Sequence, residues 1–189
     1  MLEWALDALR ESPQVGEIVV ALPEGYDAPA GCIGVRGGAE RSHSVRAALA
    51  ASSGDPILVQ DAARPMLTPE IVAACLDGLG DADAAIAAAP VTDTIKEAGG
   101  GNVVRTLDRA VLWAVQTPQV FRRAALEAAL GQADEVLAAA TDDASLVEAA
   151  GGTVRIVPTP ASNMKVTTPH DLQIAELLLA EATSTRNAR

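Results

Sequence analysis

Aromatic residues are nearly absent from this chain: two Trp, one Tyr and one Phe among 189 residues, or 2%. Its core must therefore be built from Ala, Val and Leu, and an apolar content of 49% supplies them. Cysteine is scarce too. Cys32 and Cys75 lie far apart with no metal-ligand spacing, which argues against a disulfide-stapled fold or a thiolate zinc site and fits reduced thiols in a cytoplasmic protein. His43 and His170 have no partner at metal spacing and read as surface or cap residues. No apolar run reaches roughly 18 residues, so no spanning helix is expected. The N-terminus lacks the basic segment of a secretory signal. Positive charge is also in deficit: 14 Lys and Arg face 25 Asp and Glu, a net charge of −11. That balance argues against non-specific nucleic-acid binding and against an acidic membrane surface as partner. It leaves room for a phosphate ligand held by a few clustered cations.

What is present is an alternation of strand and helix patterns. "EIVVAL" (17–22), "GCIGVRGG" (31–38), "PILVQ" (56–60), "ADAAIAAAP" (82–90), "VLWAVQTP" (111–118) and "TVRIVP" (153–158) read as strands. "LEWALDALR" (2–10), "SHSVRAALAAS" (42–52), "QVFRRAALEAAL" (119–130) and "TTPHDLQIAELLLAEA" (167–182) read as helices. Ser42 or a neighbour is expected to cap the second of these. In "TPEIVAACLDGLG" (68–80), Thr68 stands at the N-cap, Pro69 at the first helical position and Glu70 behind it. "TDDASLVEAAGG" has an acidic start, a short helix and a glycine stop, and "TSTRNAR" reads as a frayed tail. Strands alternating with helices predict a mostly parallel sheet with helices on both faces, an α/β fold, in a single domain over 1–189. "VTDTIKE" and "NVVRTL", separated by "AGGG", break the alternation. They predict a polar β-hairpin arm, within about 90–113, that projects from the domain and meets another subunit or a substrate.

In open α/β sheets, ligands gather at the carboxyl ends of the strands. "VQDAARP" puts Asp61 and Arg64 at such an end. A carboxylate there can hold magnesium with phosphate oxygens completing the shell; it can equally cap a turn and pair with Arg64. "GGAERSHS" (37–44) offers a glycine turn and a helix N-terminus to an anion. "SNMKVTTP" places Lys165 between a late strand and a capped helix, where it can steady a phosphoryl group or simply be solvated. The arm carries Asp93, Thr94, Lys96, Arg105, Thr106, Asp108 and Arg109. No Ser–His–Asp, Cys-x-x-Cys or His-Glu-x-x-His arrangement occurs.

Taken in order, "GGAERSHSVRAAL", "VQDAARP", "APVTDTIK", "TLDRAVLWAVQTPQVF", "TDDASLVEAAGG" and "NMKVTTPHDL" closely resemble the 2-C-methyl-D-erythritol 4-phosphate cytidylyltransferases, from about residue 2 to about 180. "DAARP" alone also fits ribitol-phosphate cytidylyltransferases. A cytidylyltransferase for another polyol phosphate and a non-catalytic dimeric substrate-binding protein stay open beside the main reading. The resemblance implies a Rossmann-like nucleotidyltransferase that joins CTP to methylerythritol phosphate with magnesium, in the cytoplasm. It also implies a homodimer in which each arm reaches the partner's site. By position, Arg109 and Lys165 match residues that place the substrate phosphate, and Thr94, Thr117 and Thr141 lie near that substrate. Asp61 matches the acid beside the metal and sugar, with Arg64 next to it, and Gly38, Ser44 and the backbone at Ala62 match cytidine contacts. Positioning and charge neutralisation carry such a reaction, since a phosphate monoester is already a nucleophile.

Two departures accompany the match. Gln60 stands where the family usually has histidine, and still offers hydrogen bonds. The family's first strand and its glycine-rich, Arg- and Lys-bearing triphosphate loop have no counterpart in the matched residues. The resemblance therefore implies open sheet edges, exposed apolar surface and slow turnover by this chain alone.

Overall fold

The computed structural model describes residues 1–187, with side chains through residue 181. In chain order the elements are α1 (Leu2–Arg10), β1 (Val19–Leu22), β2 (Ile33–Arg36), α2 (Arg41–Ala51), β3 (Ile57–Val59), α3 (Pro69–Leu79), β4 (Ala84–Pro90), β5 (Lys96–Gly99) and β6 (Asn102–Thr106). A single 3₁₀ turn (Arg109–Val111) leads to β7 (Trp113–Phe121), α4 (Arg123–Leu130), α5 (Asp134–Ala139), α6 (Asp143–Ala149), β8 (Val154–Pro158) and α7 (Pro169–Asn187).

The main sheet has the order β3-β7-β4-β8. β4 and β8 run parallel, β3 points the same way, and β7 runs against them. β7 is reversed because the chain reaches it through the hairpin rather than through a crossover helix. β1 and β2 form a separate parallel pair. The fold is thus the expected α/β type with one antiparallel strand inside it.

β4 is flanked on both sides, and every residue from Ala84 to Ala89 is buried. Its side chains alternate between two cores. Ala85 and Ala87 pack with Val120, Val157, α1 and α3, while Ala84 and Ile86 pack with Phe121, α4 and α6. Small alanines on this central strand let helices close in from both faces, which offsets the lack of aromatics. Gly78 serves the same end: a Cβ there would lie 2.5 Å from Val157 Cγ2, so glycine lets α3 lie against β8.

The hairpin is as expected. β5 and β6 are exposed along their whole length, and Gly100 and Gly101 take the positive φ values of 56° and 82° that the turn demands. Thr68 caps α3 through Oγ1, which accepts from the Ile71 N–H.

Several boundaries differ from the sequence reading. "QVF" belongs to β7, not to the following helix, because Val120 and Phe121 fill the two cores from a strand paired with both β3 and β4. α2 begins at Arg41 after Glu40, and Ser42 is no cap; its Oγ donates to the Leu137 carbonyl instead. Leu137 lies in α5, a short helix that the sequence pattern did not reveal. α7 continues to Asn187, so the tail predicted to fray from Thr183 is helical over most of its length, and residues 188–189 lie outside the described residues.

Among the described residues, β1 hydrogen-bonds to β2 alone and β3 to β7 alone, so each leaves one edge unpaired. Between them lies a cavity of about 900 Å³ lined by Leu6, Val19, Ala21, Ile57 and Val59 among others. The open edges implied by the resemblance are there.

Candidate active site

The site is built where β3 ends. Val59 pairs with Gln119 in the antiparallel register, so two residues further on Asp61 falls opposite Thr117. The Asp61 N–H donates to Thr117 Oγ1 at 3.0 Å. The chain then turns, with the Arg64 N–H donating to the Asp61 carbonyl. The Val166 N–H donates to the Ala63 carbonyl at 2.8 Å, which brings the Lys165 loop alongside.

Cations surround the Asp61 carboxylate. Arg41 Nε reaches Oδ1 at 3.1 Å, Lys165 Nζ reaches Oδ2 at 3.0 Å, and Arg64 Nε lies 3.8 Å from Oδ2. Arg41 also donates through Nη1 to Asp143 Oδ2 at 2.5 Å. Burial by itself would push the Asp61 carboxyl up. The Arg41 charge, together with hydrogen bonds from Lys165 and Arg41, outweighs it and holds the group below its ordinary range. Burial pulls Arg64 down from its usual value, and Arg41 adds repulsion while Asp61 opposes. Burial also pushes the Asp143 carboxyl up, against the pull of Arg41.

A buried amide network fixes the Lys165 loop on β7. Gln116 Oε1 accepts from Thr159 Oγ1 and from Asn163 Nδ2, and Asn163 Nδ2 also donates to the Thr117 carbonyl at 2.9 Å. Arg64 Nη1 donates to the Asn163 carbonyl at 2.9 Å. Arg64 is therefore a clamp as well as a site residue: it is buried, and its head joins the Asp61 turn, the Lys165 loop and β7.

The glycine turn before α2 is closed by its own side chains. Gly38 N–H donates to Ser44 Oγ at 3.0 Å, and Ser44 Oγ donates to the Glu40 carbonyl. A Cβ on Gly38 would meet His43 Cβ at 2.3 Å, so close approach requires the glycine. Ser44, Ala62, Asp61 and Arg41 line the same cavity that separates β1 from β3.

The structure thus joins Asp61, Arg64, Thr117 and Lys165 into one cluster, with Ser44 and Ala62 on the adjoining cavity. It keeps the arm residues apart. Thr94 and Arg109 are exposed, and Arg109 Nη1 donates to the Thr92 carbonyl at the base of the arm. Thr141 is exposed just before Asp142, whose carboxylate caps α6 by accepting from the Ser145 N–H. Arg41, Asp143, Asn163 and Gln116 were not singled out in the sequence, although each lies inside a segment of the resemblance. The signal was present in "TDDAS": one aspartate is enough to cap the helix, which leaves the second without a local role.

Among the described residues no group of three or more His, Cys, Asp or Glu is assembled for a metal ion. Asp61 offers one carboxylate at the cluster, held by Arg41 and by Lys165, whose side chain is 41% exposed. That fits a magnesium ion carried in on nucleotide phosphates, which needs one or two protein carboxylates, and not an all-protein cage.

The cationic cluster lies at the carboxyl end of β3, where open α/β sheets gather their ligands. The model of the family 2-C-methyl-D-erythritol 4-phosphate cytidylyltransferase matches residues 1–181. The enzyme of that name from Deinococcus radiodurans is 46% identical over 169 residues, covering 88% of this chain and 73% of that one. The Bordetella petrii enzyme is 44% identical over 188 residues, covering 93% and 84%. The crystal structure of the Thermus thermophilus enzyme superposes with a TM-score of 0.85 at 39% identity, covering 95% of this chain and 88% of that one. The chain belongs to the 2-C-methyl-D-erythritol 4-phosphate cytidylyltransferase family.

Proposed function

We propose that this chain transfers the cytidylyl group of CTP to 2-C-methyl-D-erythritol 4-phosphate, giving 4-diphosphocytidyl-2-C-methyl-D-erythritol and pyrophosphate in the non-mevalonate route to isoprenoid precursors. The observation that carries this reading, in a member of this family, is the convergence of Arg41, Arg64 and Lys165 on Asp61 in a chain of net charge −11. Such local positive charge suits the meeting of two phosphate-bearing substrates.

An oxygen of the sugar phosphate attacks the α-phosphorus of CTP. The new P–O bond forms as the bond to the bridging oxygen breaks, and pyrophosphate leaves. The nucleophile is already anionic, so the protein's task is to hold two anions together. Lys165, able to exchange Asp61 for substrate, neutralises and orients the attacking phosphate. Arg109 does the same from the arm, reaching a partner subunit's site, and Thr94, Thr117 and Thr141 lie beside that substrate. Gly38, Ser44 and the Ala62 backbone hold the cytidine side. Asp61 would hold the magnesium ion, which would supply charge neutralisation to the triphosphate.

The homodimer is supported by the arm itself. Val103 and Val104 on β6 are each 63% exposed, an apolar surface suited to a second subunit. A cytoplasmic setting is supported by the free thiols Cys32 and Cys75. Among the described residues no helix is long and apolar enough to cross a membrane.

Pyrophosphate release measured with CTP and each candidate acceptor tests the reading. Release that depends on methylerythritol phosphate is expected. Faster release with ribitol 5-phosphate would overturn the substrate, and release indifferent to any sugar phosphate would overturn the reaction.

A further inference from the structure

Arg41 begins α2, Asp61 follows β3, and Asp143 begins α6, so one guanidinium ties together three segments remote in sequence. Its planar fork places Nε on Asp61 Oδ1 at 3.1 Å and Nη1 on Asp143 Oδ2 at 2.5 Å. Asp143 is fully buried, and its Oδ1 has no hydrogen-bond partner among the described residues. A buried carboxylate with one oxygen unsatisfied is a poor way to stabilise a fold, since an apolar residue of similar size does as well or better. Asp142 already caps α6, and Asp143 plays no part in that cap. Arg41, in contrast, is about a third exposed and lines the cavity beside Asp61.

We propose that Arg41 is a positioning residue anchored by Asp143, and that the pair aims the Asp61 carboxylate toward the magnesium-bound nucleotide. The inference rests on the cytidylyltransferase reading above. One rigid fork joins the two carboxylates. Asp143 holds one tine in the protein interior, which fixes the other on Asp61 Oδ1. Lys165 engages the opposite oxygen, Oδ2, and is the more exposed of the two cations at 41% against 35%. The carboxylate is thereby held on one side by a buried anchor and on the other by a side chain able to leave. A lysine at position 41 keeps the charge but cannot make both contacts with one rigid group.

Calorimetric titration of CTP with magnesium chloride, and separately of methylerythritol phosphate, tests this on the unaltered chain, Arg41→Lys and Asp143→Asn. Groups that orient a metal-binding carboxylate typically contribute 10- to 100-fold in affinity. About a tenfold loss in magnesium–CTP affinity is therefore expected for Arg41→Lys, with methylerythritol phosphate affinity and the thermal midpoint unchanged. Asp143→Asn should show the same selective loss, and the double variant should lose no more than either single one. Magnesium–CTP affinity unchanged by Arg41→Lys would overturn the proposal. So would equal weakening of both ligands alongside a lowered thermal midpoint, which is the mark of a purely structural pair. If Asp143→Asn fails to fold, Arg41→Lys decides alone. Failure of the unaltered chain to bind CTP would overturn the functional reading, and this inference with it.

Discussion

The Asp61 cluster and the β5–β6 arm carry similar side chains in opposite settings. Around Asp61, Arg41 and Lys165 are partly shielded and bonded to the carboxylate, while Arg64 is buried close beside it. On the arm, Lys96, Glu97, Arg105 and Thr106 are exposed and pair with one another: Lys96 with Thr106, and Arg105 with Glu97. The cluster is complete within one chain, because strand register and loop docking force its members together. Among the described residues, the polar side chains of β5 and β6 bond to one another within the hairpin. A cluster tied together by strand register and an exposed hairpin can thus share a composition and differ only in what packs around them.

The sharpest break between the two regions comes from truncating one cation in each. Lys165→Ala and Arg109→Ala should each lower kcat by about a hundredfold or more, the scale of a lost transition-state donor. Neither should shift the thermal midpoint much, since both side chains are exposed. Full activity in Arg109→Ala would leave the arm without a catalytic role. Mixing the two variants should then restore measurable turnover, because a mixed dimer pairs an intact arm with an intact cluster. Analytical ultracentrifugation showing only monomer would end that expectation.

Arg64→Ala should separate clamp from site. It removes charged hydrogen bonds to the Asn163 and Val115 carbonyls, so a stability loss of about 2–3 kcal/mol is expected in denaturant titration. An unchanged unfolding midpoint would show that the Lys165 loop docks without it.

The smallest effect concerns how that loop joins α7. Asp171 Oδ2 accepts from Thr167 N–H, Thr167 Oγ1 and Thr168 N–H, which pulls its carboxyl down to about 2. A depressed carboxyl stabilises the fold when ionised. Its contribution is fully present above the unfolded value near ~4 and disappears as pH falls through about 2. Asp171→Asn should lower the thermal midpoint slightly at neutral pH, and the difference from the unaltered chain should vanish near pH 2. A difference independent of pH would assign the effect to something other than this charge. Asp61, also depressed, adds stability with the same sign.

Local chemistry was legible wherever a residue's role depends on its neighbours in sequence. Thr68 and Pro69 start α3 because a cap and a ring-fixed φ act within one turn, and "AGGG" makes the hairpin because its turn needs positive φ. The alternation of patterns gave the α/β class. The reversed β7 was not legible, since direction follows from the path the chain takes into the sheet. The helix α5 was missed because its six residues make too short a periodic signal; it is held by packing of Leu137 and by the bond from Ser42.

The sequence by itself determined most of the segments, their order and the family, and it marked Asp61, Arg64 and Lys165 as chemistry-bearing. Only the tertiary structure decided that Arg41 and Asp143 belong with them and that Arg64 is buried as a clamp. It also decided that Asn163 and Gln116 hold the Lys165 loop. The reason is distance along the chain: Arg41 and Asp143 are 102 residues apart. No local propensity encodes a contact that exists only because β3 ends where α2 and α6 begin.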